Sequence, residues 1–433
     1  MAAEAELAER RDAASREGAA AAVDDGAVGV YLHLPFCERI CPYCDFAVVA
    51  ARTLERAEED RYVEALIAEL EARRVDFAGR RLASIYFGGG TPSLFAPDSI
   101  AQLTEAVEAA FSPPARDRSV APQPAGPGGE VERTLELNPS TVERDRLPGF
   151  VEAGVNRLSI GVQSFDDGLL KRLGRAHRAG VARETLSAAR ASGVPEISLD
   201  LIFAGPGQDL AALDRDLDAL VEFGPEHVST YELTFEPETP FGRALARGRI
   251  RACEETLAIE MIERIEGRLE AAGYSRYEIS SYARPGSRAR HNARYWQRQA
   301  VLGLGMGAHS TEARSARHPH GARRANPRTL SAWLDAVERD PAQVGETEVL
   351  PLGTARGEAV FLALRQREGL DAARFAAEFD GPPRDFFAQA IERMVERGWL
   401  EETEDSDLRL TAAGRLLADS VASEFLAEET SEV

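Results

Sequence analysis

From Val28 to Pro237 short β-rich runs alternate with longer amphipathic runs, and this alternation most narrows what the chain can fold into. VGVYLHL (28–34), LASIYFGGG (82–90), TLELNP (134–139), NRLSIGVQSF (156–165), EISLDLIFAGP (196–206) and HVSTYELTFEP (227–237) read as strands. Between them, DRYVEALIAELEARRVDF (60–77) carries Val63, Leu66, Ile67 and Leu70 at helical spacing. Runs 99–111, 141–154, 181–193 and 210–224 repeat that period, with a break expected at Pro148 and a stop at Gly193. Strands separated by helices of this length make βαβ units and a parallel sheet. The expected class is α/β. Six units fit a partial (β/α)6, TIM-like barrel better than a flat doubly wound sheet, although the pattern itself allows both.

Between the first strand and first helix lies YLHLPFCERICPYCDF (31–46), with three of the chain's four cysteines. Cys37, Cys41 and Cys44 are spaced C-x3-C-x2-C. Structural zinc takes four ligands and usually paired C-x2-C knuckles, and a disulfide framework takes an even cysteine count in a secreted chain. Three clustered thiolates suit a [4Fe–4S] cube with one iron free of protein ligands. A free iron can take a ligand through an amine and a carboxylate. Thiols sharing a short loop without function are the alternative.

In parallel barrels ligands gather where the βα loops converge, at the C-terminal strand ends. The cysteine loop follows strand one and Gly88-Gly89-Gly90-Thr91-Pro92 follows strand two. Glu136 closes strand three, Gln163 closes strand four, and Asp200 lies within strand five among Leu199, Leu201 and Ile202. The glycines let backbone approach a ligand with no Cβ in the way; a plain turn explains the same residues. Glu136 can accept an ammonium or hydroxyl, or be solvated. Asp200 needs a partner if buried, either a cofactor hydroxyl or an internal hydrogen bond.

The net charge is −21, from 72 acidic and 51 basic residues, and the only lysine is Lys171. Phosphate binding needs a positive surface, so no nucleic-acid partner is expected. No apolar run is long enough for a membrane span, and the N-terminus lacks a secretory pattern, so a cytoplasmic protein is expected. Residues 1–26 read as a frayed tail and 112–132, rich in Pro, Gly and Ser, as an exposed insertion. The barrel is assigned to 27–250. Residues 251–350 are assigned to a barrel extension and linker, with 275–310 as strand and loop and 311–328 as loop. Residues 351–433 form a mostly helical C-terminal domain in which a helix pair before LRLT resembles a winged helix.

The segments YLHLPFCERICPYCDF, YFGGGTPS, ELNP, GVNRLSIGVQSFDDGLLKRLGRAH, SLDLIFAGPGQ, YEISSYARPGSRARHNARYW and LGLGMGAHS together resemble the HemN/HemW family of radical S-adenosylmethionine (SAM) proteins. The resemblance spans about residues 28–425. It implies a radical SAM barrel, a HemN-type C-terminal domain, a [4Fe–4S] cluster held by Cys37, Cys41 and Cys44, and SAM. Tyr31 and Tyr43 would border the SAM; Gly89, Gly90, Thr91 and Glu136 would contact its methionyl part. Gln163, Arg175 and Asp200 would complete the pocket. One-electron reduction would cleave SAM to a 5′-deoxyadenosyl radical, which requires an electron donor for the cluster.

The oxygen-independent coproporphyrinogen III oxidases of this family carry a further cysteine two positions after the third. Here that position is Phe46. The family's heme-chaperone branch has CDF and H-N-x-x-Y-W, matched by His291, Asn292, Tyr295 and Trp296. This branch implies heme binding and delivery to respiratory hemoproteins, with His291 as the candidate heme contact; a hydrogen-bonded or fold-stabilising histidine is the alternative. His309, in GAHS, is a second candidate. The oxidase activity and a barrel that has lost its cofactors are the competing readings.

Overall fold

The computed structural model describes residues 24–112, 130–315 and 317–426. Most of the expected tail and insertion therefore lies outside the described residues. The six expected strands form as β1 (Ala27–Leu34), β2 (Arg81–Gly89), β3 (Glu132–Leu137), β4 (Arg157–Gln163), β5 (Glu196–Phe203) and β6 (His227–Glu232). They pair in chain order and all in parallel, with helices Arg56–Arg73, Pro97–Phe111, Thr141–Glu152, Ala179–Ala191 and Leu210–Phe223 among the crossovers. The local reasons are readable. Ser140 and Asp209 cap helix starts through their side chains, and Gly224 ends a helix in the left-handed region at φ 64°.

The sheet is wider than six strands. β7 (Val301–Leu304) pairs in parallel with the free side of β1. From it β8 (His309–Glu312), β9 (Ala322–Ala325) and β10 (Glu346–Val349) continue as antiparallel neighbours. Two short strands, Ser281–Ala283 and Ser275–Arg276, extend the far edge beyond β6, giving twelve strands in all.

Four expectations change. Residues 311–328 are not all loop, because they contain the end of β8 and the whole of β9. The charged β9 is held by its partners: Arg323 donates to Glu358 at 2.9 Å and Arg324 to Thr347 at 3.0 Å. HNARYW is helical, within Arg290–Trp296. The helix Thr141–Glu152 runs through Pro148. Burial of Leu147 and Phe150 on either side offsets the roughly 3 kcal/mol cost of an interior proline. Asp24 and Asp25 are not frayed; Asp24 pairs with Arg80 at 2.5 Å and Asp25 with Arg294 at 2.8 Å.

Strand alternation sorts the side chains onto two faces. Ile85, Phe87, Leu135, Leu158, Ile160, Leu199 and Val228 face the helices, where Leu66, Leu103, Leu186 and Leu217 complete the main core. The opposite face lines the barrel interior and is polar and aromatic: Tyr31, Ser84, Tyr86, Glu136, Ser159, Ser198, Asp200 and Ser229.

Helices Leu352–Ala363, Ala372–Phe379 and Pro383–Glu396, followed by the hairpin Leu400–Glu402/Leu408–Leu410, form a winged-helix-like unit. It has its own core around Val360, Phe375, Ile391, Leu408 and Phe425. Ile279 N–H donates to Arg365 C=O at 3.1 Å and joins this unit to the barrel side of the molecule. Among the described residues no helix is long and apolar enough to cross a membrane.

Candidate cofactor site

The three cysteines lie at the C-terminal mouth of the barrel, half-buried and free of disulfides. Their loop is pinned on several sides. Pro42 C=O accepts the Phe241 N–H at 2.9 Å, and its ring packs so closely on Gly174 that a Cβ there would meet Cδ at 2.5 Å. His33 Nε2 bonds Ala47 C=O at 2.7 Å, and its Nδ1 meets Tyr31 Oη at 3.0 Å.

Two of the sulfurs accept hydrogen bonds from residues in the segments that follow other strands. Thr91 Oγ1, after β2, donates to Cys37 Sγ at 3.6 Å; Arg175 Nη1, beyond β4, donates to Cys41 Sγ at 3.6 Å. Tyr43 lies against both Cys41 and Arg175. Burial pushes the Cys37 thiol up to about 11, against the Thr91 hydrogen bond, and raises Cys44 as well. Burial opposes the charge on Arg175, but Tyr43 and Cys41 beside it leave its pKa raised.

Beneath the mouth, Glu136 Oε1 accepts the Tyr86 hydroxyl at 2.8 Å and Oε2 accepts the Gly89 N–H at 3.0 Å. Burial lifts its pKa to about 7, with nearby Asp200 adding to the rise. Asp200 accepts from Ser159 at 3.1 Å and Ser198 at 3.4 Å, and burial raises it to about 6. The two carboxylates therefore share the barrel interior, and their internal hydrogen bonds are formed. The triple glycine has a more local cause than ligand approach. A Cβ on Gly89 would come within 2.6 Å of the His33 ring, and one on Gly90 within 2.5 Å of the Pro35 backbone.

Gln163 ends β4 at φ 67°, in the left-handed region that is costly for a side chain, where the β4–β5 register is irregular. Its Oε1 is buried without a hydrogen-bond partner, as is Arg175 Nε. Unsatisfied buried groups are rare and call for an explanation. A polar ligand at the mouth supplies one.

His291 packs beside the site residues, its ring 6.4 Å from that of Tyr31. It is 0% exposed inside the barrel; Nδ1 meets Ser84 Oγ at 2.8 Å and Nε2 meets Tyr295 Oη at 3.3 Å. Its ring packs 5.0 Å from that of Tyr86, and burial drops its pKa to about 3. With both nitrogens engaged, it offers none to heme iron in this conformation. His309 is exposed at the start of β8. Five site residues were not singled out from sequence: Asn138, Tyr86 and the three serines facing Asp200, Ser159, Ser198 and Ser229. Asn138 lies in ELNP, and the serines stand one per strand, in RLSIGVQ, EISLDLIF and HVSTYE.

The residues present fit a cluster and a small polar cofactor. Three free thiols share one loop, N–H and O–H donors aim at two of them, and unpartnered polar atoms line the adjoining wall. Among the described residues no three Cys, His, Asp or Glu side chains gather as ligands of a single metal ion.

A parallel barrel with this cysteine loop at its mouth is the architecture of a radical SAM protein. The model of the radical SAM superfamily matches residues 31–220, and that of the HemN C-terminal domain matches 353–417. The chain is 31% identical to the heme chaperone HemW of Bacillus subtilis, over 92% of this chain and 99% of that protein. It is 33% identical to the heme chaperone HemW of Escherichia coli, over 93% and 98%. The chain belongs to the HemW family. Among solved structures, coproporphyrinogen III oxidase (HemN) from Escherichia coli shares the fold at TM-score 0.75 and 22% identity, covering 93% of this chain and 90% of that one.

Proposed function

We propose that this chain is a heme chaperone that holds a [4Fe–4S] cluster and SAM, binds heme, and hands it to hemoproteins such as those of respiration. The observation that carries the reading is family membership over nearly the whole length, joined to an intact cysteine loop with Phe46 where a further thiol would stand. Cys37, Cys41 and Cys44 hold the cluster. Tyr31, Tyr43, Gly89, Gly90, Thr91, Glu136, Gln163, Arg175 and Asp200 surround SAM, with Glu136 taking its ammonium. The bound cofactors supply reductive cleavage of SAM when an electron donor feeds the cluster. The chain's own residues fix the thiolates, shield the site and neutralise charge.

Phe46 is 72% exposed and Ile40 43% exposed on the cysteine loop, an apolar rim suited to a flat apolar ligand. His291 serves as an interior post rather than an iron ligand. Anaerobic reconstitution should yield roughly four irons per chain. Heme titration followed by its Soret band, then transfer to an apo-hemoprotein, tests the chaperone step. A loaded protein that takes up no heme would overturn it. Conversion of coproporphyrinogen III with SAM and reductant, without oxygen, would replace it with the oxidase reading.

A further inference from the structure

We propose that Asn138 is a positioning residue that sets the reduction potential of the cluster. The inference rests on the cluster reading above. Asn138 follows β3 and bridges two residues that each donate to a cysteine. Its Nδ2 donates to Thr91 Oγ1 at 2.8 Å, and its Oδ1 accepts from Arg175 Nη2. Thr91 in turn donates to Cys37 Sγ, and Arg175 to Cys41 Sγ. The path Cys37–Thr91–Asn138–Arg175–Cys41 thus spans the ends of β2, β3 and β4.

Its polarity is fixed. Because the Thr91 oxygen accepts from the amide, its single proton is left for sulfur. Because the amide oxygen occupies one guanidinium nitrogen, which also donates to Gly161 C=O at 2.9 Å, the other is aimed at Cys41. Every donor in the path therefore points toward a thiolate. Gly161 leaves room for the bridge: a Cβ there would stand 3.0 Å from Asn138 Oδ1 and 3.4 Å from Arg175 Nη2. Hydrogen bonds to cluster sulfurs stabilise the more negative, reduced state, so they raise the potential. Chains of such bonds also polarise one another.

In Asn138→Asp a carboxylate oxygen replaces the amide donor. The Thr91 proton then turns to Asp and Cys37 loses its hydrogen bond, while one negative charge is added. The test is a redox titration of the reconstituted full chain without SAM. Dithionite supplies the one electron that takes the cluster from its oxidised to its reduced form, read by electron paramagnetic resonance. The midpoint should become more negative in Asn138→Asp, and less strongly so in Asn138→Ala, at full iron content and unchanged circular dichroism. An unchanged midpoint in iron-replete variants overturns the proposal.

If the Asn138 variants fail to hold iron, Thr91→Val and Thr91→Ser decide. Valine should shift the midpoint negative and serine restore it; equal midpoints overturn the proposal. A wild-type chain that takes up no iron would instead defeat the cluster reading itself.

Discussion

The carboxylate of Glu136 accepts the backbone N–H of Gly89 at 3.0 Å, tying the end of β2 to β3 from inside the barrel. The same carboxylate is the one proposed to take the ammonium of SAM, so its protonation couples stability to ligand binding. Its pKa of about 7 lies above the ordinary 4.5, which means that the folded protein favours the proton. The stability it supports is full below about pH 4.5 and is lost as pH rises through 7. Glu136→Gln should remove this dependence, gaining about 1–3 kcal/mol over wild type at pH 8 in thermal or urea melts. For SAM the sign reverses, because a cation favours the ionised carboxylate. Affinity should rise with pH up to about 7, and Glu136→Gln should weaken it by about 10- to 100-fold in calorimetry.

Each of Cys37→Ser, Cys41→Ser and Cys44→Ser should abolish cluster uptake, measured as iron per chain and visible absorbance after reconstitution. Cys253, just before the helix Glu255–Ala271, has no part in the loop. Cys253→Ser should load iron as wild type does.

Adding a methyl group at the glycine turn should be costly for steric reasons. Gly90→Ala places Cβ against the Pro35 backbone, which cannot rotate away, whereas Gly89→Ala meets the His33 side chain and a strained φ of 114°. Both should destabilise by about 1–3 kcal/mol or more, with Gly90→Ala also lowering iron uptake because Pro35 leads into the cysteine loop. Thermal melts and iron analysis on the same preparations would reveal either effect.

His291→Ala should destabilise the barrel by about 2–4 kcal/mol, from the cavity and the orphaned Ser84 hydroxyl. The histidine is neutral when folded, with a pKa of about 3 against 6.5, so its stabilisation is present above pH 6.5 and is lost as pH falls toward 3. The variant should be correspondingly less acid-sensitive than wild type. Lost heme affinity at undiminished stability would return His291 to the role of ligand.

Much of this was legible in the chain because local rules and the global fold agree. All six strands between Val28 and Pro237 stand out as short β-rich runs between helical ones, and the unusual polar and glycine residues at or near their C-terminal ends stand out by chemistry alone. The cysteine spacing carried the cluster reading without help from the fold. What escaped depended on contacts distant in sequence. β9 is arginine-rich and makes sense as a strand only beside Glu358 and Thr347, which lie 23 or more residues away. The helical turn at His291 is fixed by the Glu132 carboxylate, 159 residues earlier, which accepts its backbone N–H at 2.8 Å. Asn138 falls within the strand reading of TLELNP, and its role becomes visible only once Thr91 and Arg175 flank it.

The place of β7 has a consequence for how the molecule is made. Residues 301–304 supply the neighbour of β1 on the side away from β2, so a nascent chain shorter than about 300 residues leaves that flank of β1 as a bare edge. The cysteine loop is joined directly to this late-sheltered strand. Synthesis thus delivers the cysteine loop well before the strand that shelters this flank of β1.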